Sequence, residues 1–316
     1  MFVLACLFGL AASSRIASAP AVPASTSTSA TATPVDFDWR HAQGVLFRVH
    51  SSRVGASDSL LFGTIHIGAA RDIGLDSRLV RQAVLSKHVL VNEVDGTMPW
   101  LPRYDHYRFL GEGQSLDKLL GDHAFAELAR LLPGHGTTRL VRYKPWVAMT
   151  LLEEGEDVPA PGITRGQPSI DHVVEDIART QGLRLVHLET LEDQLAALDC
   201  TLPDEYAVVL RQRLADPSEL RTATERALSF YRAGHLAAWL EDIDAMPGLD
   251  EKGRVAERQA RTCLIEQRNA RWIEELEPLL RDGGCFVAVG AIHLTGSEGL
   301  LAGLARRGFA VSVQAW

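Results

Sequence analysis

Apolar residues follow two rhythms along this chain. Short, mostly apolar runs at 59–64, Val89-Leu90-Val91, 183–188 and Phe286-Val287-Ala288-Val289 lie between Gly and polar residues. Runs of that length and composition read as buried strands. Between them, apolar residues recur at helical spacing. Asp76 or Ser77 can cap a helix carrying Leu79, Val80, Val84 and Leu85, and Ser169 one carrying Val173, Val174 and Ile177 that stops at Gly182. Further on, 192–282 reads as almost wholly helical, closing on a long pattern over about 251–281. A helix at 297–307, Gly308 and a last strand at Phe309–Val313 complete the chain. Strand–helix–strand units of this kind build parallel sheets. The fold class is therefore α/β, with a central mixed, largely parallel sheet and long helical insertions.

One phrase occurs twice. Leu61-Phe62-Gly63-Thr64-Ile65-His66-Ile67-Gly68 is echoed by Val289-Gly290-Ala291-Ile292-His293-Leu294-Thr295-Gly296. Each histidine falls just past the end of a predicted strand, the edge where α/β sheets bind ligands. Glu93 and Glu189 occupy the same place after the strands at 89–91 and 183–188. Four strands thus deliver His66, Glu93, Glu189 and His293 to one edge, and the echo suggests two related halves. Neutral imidazoles are common ligands for Zn, Mn, Co and Fe. Two histidines and the Glu93 carboxylate would leave coordination positions open for water and substrate. The plain alternatives are that each histidine bonds loop carbonyls, that Glu93 is a solvated loop carboxylate beside Asp95, and that Glu189 caps the helix after it. Asp171, near a helix start, reads first as a first-turn residue favoured by the helix dipole. Arg268, mid-helix, would ordinarily be a solvated charge, and Lys144-Pro145-Trp146 reads as packing.

Composition narrows the picture. Hydrophobic residues make up 46% and charged residues 23%, the balance of an ordinary globular protein. A formal charge of −8 argues against a general nucleic-acid binder, which would carry a basic stripe. Residues 1–17 form an apolar leader of signal-peptide length, too short to span a bilayer. Its basic n-region is missing, as it would be if translation began upstream. Val3-Leu4-Ala5-Cys6 resembles a lipobox, which makes Cys6 a candidate for lipidation and membrane attachment. A disordered apolar tail on a cytosolic protein is the plain alternative. Residues 18–36, rich in Ala, Pro, Ser and Thr, read as a flexible linker, so the folded domain spans 37–316. Beyond the leader, Cys200, Cys263 and Cys285 show no Cys-x-x-Cys spacing. In an exported chain Cys200 would pair with Cys263, because Cys285 starts a core strand. His-Glu-x-x-His and Gly-x-Ser-x-Gly are absent, which excludes a zincin arrangement and argues against an α/β-hydrolase.

From about residue 37 to 316 the chain resembles the TraB/GumN family, relatives of the Tiki-type membrane metalloproteases. The resemblance rests on Gly63-Thr-Ile-His66, Val91-Asn-Glu93, Lys144-Pro-Trp146, Ile170-Asp171, Leu188-Glu-Thr190 with Gln194-Leu195, Arg268-Asn269 with Trp272, and Val289-Gly-Ala-Ile-His293 with Gly296. Ser169 stands where the family phrase before Asp171 has Gly. The resemblance implies an EreA/ChaN/Tiki-like fold with both histidine phrases at one site. For the Tiki branch it implies divalent-metal-dependent cleavage of a peptide or protein substrate, with Mn or Co first and Zn or Fe after. On that basis the metal ligands are His66, Glu93 and His293. The candidate catalytic residues are Glu93, Glu189 and Arg268: Glu189 or Glu93 as base, Arg268 as oxyanion stabiliser or as partner of Glu93 or Glu189. The expected location is the periplasm or cell envelope. The alternatives are an envelope protein that binds or sequesters a peptide signal, and a metal- or haem-binding accessory protein.

Overall fold

In a computed structural model, residues 37–154 and 167–316 are described. The leader and linker, and most of the Pro/Gly-rich loop expected at 158–168, lie outside the described residues. One sheet of six strands organises the molecule: β1 (Leu46–His50), β2 (Ser59–Thr64), β3 (Val89–Asn92), β4 (Arg184–His187), β5 (Cys285–Gly290) and β6 (Ala310–Val313). Their order across the sheet is β4-β3-β5-β2-β1-β6. β4, β3, β5 and β2 run parallel, while β1 is antiparallel to β2 and to β6. The sheet is therefore mixed, as the apolar runs suggested, with its parallel part carrying the two histidine phrases on adjacent strands.

Burial explains the strand sequences. Every residue of β2 is buried, as are the first five residues of β5, so these central strands read as continuous apolar runs. Register places Thr64 opposite Gly290, Asn92 opposite Ala288, and His187 opposite Asn92. The four parallel strands thus end level, and the residues just past their ends meet at one edge. β1 is the strand that the apolar runs did not announce. It is five residues long, and the exposed Arg48 and His50 alternate with Val49 after the apolar Val45-Leu46-Phe47.

The helix Ser77–Leu85 is capped by Asp76, which accepts from the Arg78 backbone N–H at 2.8 Å. It packs against the helix Ile170–Gln181, with Val80 and Val84 buried and Leu79 and Leu85 exposed, so its apolar face is narrower than expected. The second helix ends at Gly182 in the left-handed conformation, φ 70°. Ser169 does not cap it and bonds His172 Nδ1 at 3.0 Å instead. The helix expected at 297–307 is the shorter Leu300–Arg306. The long pattern over 251–281 resolves into helices Glu251–Arg261 and Gln267–Asp282 joined by a π-helical turn, Thr262–Glu266. A π-turn leaves backbone carbonyls out of the usual ladder and recurs at functional sites.

Cys200 and Cys263 form a disulfide, and Cys285 is a buried thiol. Cys263 belongs to the π-turn, so the bridge ties that turn to the segment after the helix Leu191–Leu198. Lys144 and Trp146 do more than pack: both bond Asp199, at 2.6 and 3.2 Å. Among the described residues, no helix is long and apolar enough to cross a membrane.

Candidate functional site

Gly63 and Gly290 show why each histidine phrase begins with glycine. A Cβ on Gly63 would lie 2.9 Å from the Ala291 Cα, so the second phrase packs directly on the backbone of the first. A Cβ on Gly290 would lie 3.4 Å from Glu93 Oε1, 3.4 Å from His293 Cδ2 and 3.6 Å from His66 Nε2. His66, Glu93 and His293 therefore gather around one bare Cα at the sheet edge.

Arg268 stands behind them. The π-turn and the helix Gln267–Asp282 carry its side chain inward, where it has 0% exposure. Nε lies 3.1 Å from both Glu189 oxygens. Nη2 donates to Glu93 Oε2 at 2.7 Å and Glu189 Oε1 at 2.6 Å. Nη1 donates to the Leu264 carbonyl of the π-turn at 3.1 Å and faces His293 Nε2 at 3.2 Å. A guanidinium has five N–H bonds, and this set uses all of them. The group also stacks over Trp272 at 4.4 Å, whose Nε1–H reaches Glu189 at 3.3 Å. Arg268 is thus the partner of both Glu93 and Glu189 and keeps no donor for an oxyanion. Arg271, one turn away, is half-exposed.

Glu189 is enclosed by this pairing. The cap of the following helix is formed by Thr190 and Asp193, so Glu189 does not serve there. Burial pushes its carboxyl pKa up despite the Arg268 charge. Burial acts the same way on Glu93, but Arg268, the histidines and the Gly290 N–H, 2.7 Å away, outweigh it and hold Glu93 down at about 2. The two carboxylates on one guanidinium are therefore unequal, with Glu93 the more acidic.

The two histidines are held differently. His293 has 1% exposure. Its Nδ1 lies 2.7 Å from Asn269 Oδ1, while Asn269 Nδ2 donates to the carbonyls of His293 and Glu298. That orients the amide, so Nδ1 carries the proton and Nε2 the lone pair, which points at Arg268. Burial, with the Arg268 charge, lowers the His293 pKa to about 3 and keeps the ring neutral. His66 has a side-chain exposure of 12%, and its Nδ1 lies 3.1 Å from Asp171 Oδ2. The Asp171 carboxyl is held low by the His66 ring against the effect of burial. An ionised carboxylate only accepts, so His66 Nδ1–H donates and proton exchange falls to Nε2. Asp171, a helix first-turn residue in sequence terms, is the orienting partner of His66.

A cavity of about 50 Å³ opens beside His66, lined also by Glu93, Asp171, His172, Glu175 and Gln194. Gln194 is 5% exposed and its Oε1 has no partner among the described residues, an unusual state for a buried acceptor. Sequence reasoning gave no role to Gln194 or Asn269. For Asn269 a signal was present: an Arg-Asn pair one turn before Trp272, in line with Ile273, Leu276 and Leu280 on what is otherwise the apolar face of the helix.

The ligand set His66, Glu93 and His293 does not fit a shared ion in this arrangement. The single lone pair of His293 Nε2 is directed at a guanidinium. Among the described residues, no three His, Cys, Asp or Glu side chains are placed to hold one metal. The profile of the TraB/PrgY/gumN family matches residues 45–313. No curated protein and no solved structure matches the chain.

Proposed function

Because this chain belongs to the TraB/PrgY/gumN family, and because its polar centre leaves one imidazole at a cavity, we propose that it is a hydrolase of the cell envelope that cleaves a peptide bond with His66 as general base. The observation that carries this reading is the His66–Asp171 pair. Asp171 fixes the tautomer, and Nε2 takes a proton from water as the water oxygen attacks the substrate carbonyl. The C–N bond then breaks and the proton passes from Nε2 to the leaving nitrogen. A positioned base of this kind contributes roughly 10²–10⁴-fold in rate. Arg268, Glu93 and Glu189 do not transfer the proton; they hold the strand ends in place and fix the charge beside the water.

The peptide class rests on the resemblance to the Tiki-type proteases. The envelope location is supported by the Cys200–Cys263 disulfide, since such bridges persist in oxidising compartments. A second reading, a peptide-binding protein, draws on the closure of the Arg268 cluster, which leaves few groups for chemistry.

The test is to incubate the full chain with a peptide library and to read new termini by mass spectrometry. Wild type should cleave, and His66→Ala and Asp171→Asn should each lose at least about 10²-fold of the rate. Undiminished cleavage by His66→Ala would end the proposal. Retention of library peptides without cleavage would favour the binding protein.

A further inference from the structure

We propose that Arg268 is the resident cation of this centre and holds His293 out of metal coordination. The proposal concerns the same strand ends as the hydrolase reading but does not depend on it.

Three observations carry it. First, Asn269 fixes the proton of His293 on Nδ1, so the ring has one lone pair, on Nε2, and Arg268 Nη1 faces it at 3.2 Å. An imidazole nitrogen cannot give the same lone pair to a guanidinium proton and to a metal. Second, Glu93 is engaged at both ends, by Arg268 at Oε2 and by the Gly290 N–H at Oε1. Third, the guanidinium has no second position to move to. Its Nε and Nη2 hold the buried Glu189, Nη1 caps a carbonyl of the π-turn, and its face rests on Trp272. Withdrawing it would leave the buried Glu189 only the half-exposed Arg271, 3.9 Å away, as counter-charge and would break the hydrogen bonds that hold its carboxylate. Leaving it while a divalent ion bound His293 would put two cations in contact. The guanidinium thus occupies the place that a metal would take between His293 and Glu93.

The role of Arg268 is therefore positioning. It replaces, with one covalently tethered positive charge, the ion that the two histidine phrases would otherwise invite. It also explains why His293, the partner of His66 in sequence, is enclosed.

The experiment uses the full chain, purified, with Zn(II) and Mn(II) as probes. Metal content after desalting is counted for wild type, His66→Ala and His293→Ala. The ring nitrogens of ¹⁵N-histidine-labelled protein are followed during a Zn(II) titration. The expected result is that His293 keeps a protonated Nδ1 and an Nε2 resonance that Zn(II) does not move. Whatever metal wild type carries should be unchanged in His293→Ala. Arg268→Met, where it folds, should gain at least tenfold in Zn(II) affinity. The nitrogen titration covers the case in which that variant does not fold. A Zn(II)-induced shift of His293 Nε2 in wild type, or one equivalent of metal present in wild type and lost in His293→Ala with the fold intact, would overturn the proposal.

Discussion

The two copies of one sequence phrase have become two different chemical devices. Gly63-Thr-Ile-His66 ends beside a cavity with a carboxylate, Asp171, on its ring, while Gly290-Ala-Ile-His293 ends in the interior with an amide, Asn269, on its ring and Arg268 at its far nitrogen. Strand geometry is shared: β2 and β5 are adjacent, parallel and in register from Thr64 to Gly290. The difference lies in the polarity of the helix that meets each histidine. A carboxylate supports an imidazolium formed in passing, whereas an amide and a buried guanidinium keep the ring neutral. A repeated motif therefore specifies where a side chain arrives, and its non-repeated neighbours specify what it does there.

Exchanging the orienting partner should break this comparison most sharply. Asp171→Asn gives His66 the kind of partner that His293 has. Cleavage should fall on the order of 10²–10⁴-fold, as when the carboxylate of a catalytic triad becomes an amide. Peptide turnover and a denaturation curve on the same sample separate the two effects, since stability should move by less than about 1 kcal/mol at this half-open site. Full activity in Asp171→Asn would mean that the His66 side is not the working side.

Acid should act on the closed side. The His293 pKa is about 3 in the fold against an ordinary 6.5, and that of Glu93 about 2 against 4.5. Between each pair of values the unfolded chain binds one more proton than the native chain, so stability rises with pH. The His293 contribution is complete above about 6.5 and declines as pH falls towards about 3. The Glu93 contribution is complete above about 4.5 and declines towards about 2. Each group gives a slope of up to about 1.4 kcal/mol per pH unit. Urea midpoints measured at pH 7, 6 and 5 should drop relative to pH 7 by more in wild type than in His293→Gln, which lacks the imidazole. Equal slopes in the two proteins would show that His293 is not held neutral by the fold.

How much of this was legible in the sequence turns on the physical origin of each feature. β2, β3 and β5 could be read because central parallel strands are buried on both faces and read as apolar runs, whereas β4, an edge strand of exposed and half-buried residues, could be read from Leu185-Val186 between Leu183 and Leu188. The arrival of His66, Glu93, Glu189 and His293 at one edge came with them. β1 was missed although Val45-Leu46-Phe47 is as long an apolar run as Val89-Leu90-Val91, because Arg48 and His50 then alternate with Val49 as on a strand with one open face. The inequality of the histidines was illegible for a different reason. It depends on Asp171 reaching His66 across 105 residues and Arg268 reaching Glu93 across 175, both set by tertiary packing. The π-turn that aims Arg268 has no local signature in Thr262-Cys-Leu-Ile-Glu266, whose sequence would suit an ordinary helix.

That turn gives the next test. The Cys200–Cys263 bridge joins the π-turn to the end of the helix that comes after Glu189, so it braces the two segments whose side chains pair. Closing a loop with a separation of 63 residues should stabilise the fold by about 2–4 kcal/mol. Cys200→Ser with Cys263→Ser should lose that amount in a urea titration. The loss should fall mainly on the closed side: amide hydrogen exchange should speed up over Thr262–Asn269 and change little over Ile170–Gln181. Uniform acceleration across both segments would make the bridge a general staple with no particular bearing on Arg268.

The smallest effect belongs to two amides, one on each side. Asn269 makes three hydrogen bonds, to the ring of His293 and to the carbonyls of His293 and Glu298. Gln194 lines the cavity by His66, and its Oε1 has no partner among the described residues. Removing an amide that satisfies other buried groups leaves them unpaired, at about 1–3 kcal/mol, whereas removing an acceptor that bonds nothing can be neutral or stabilising. Asn269→Leu should therefore lose stability, while Gln194→Leu should stay within about 0.5 kcal/mol of wild type or exceed it. If Gln194 holds a substrate amide in the cavity, Gln194→Leu should raise KM for peptide cleavage at unchanged stability. A Gln194→Leu protein as unstable as Asn269→Leu would show instead that the cavity side is as tightly bonded as the His293 side, and the contrast between the two phrases would shrink to their ring partners alone.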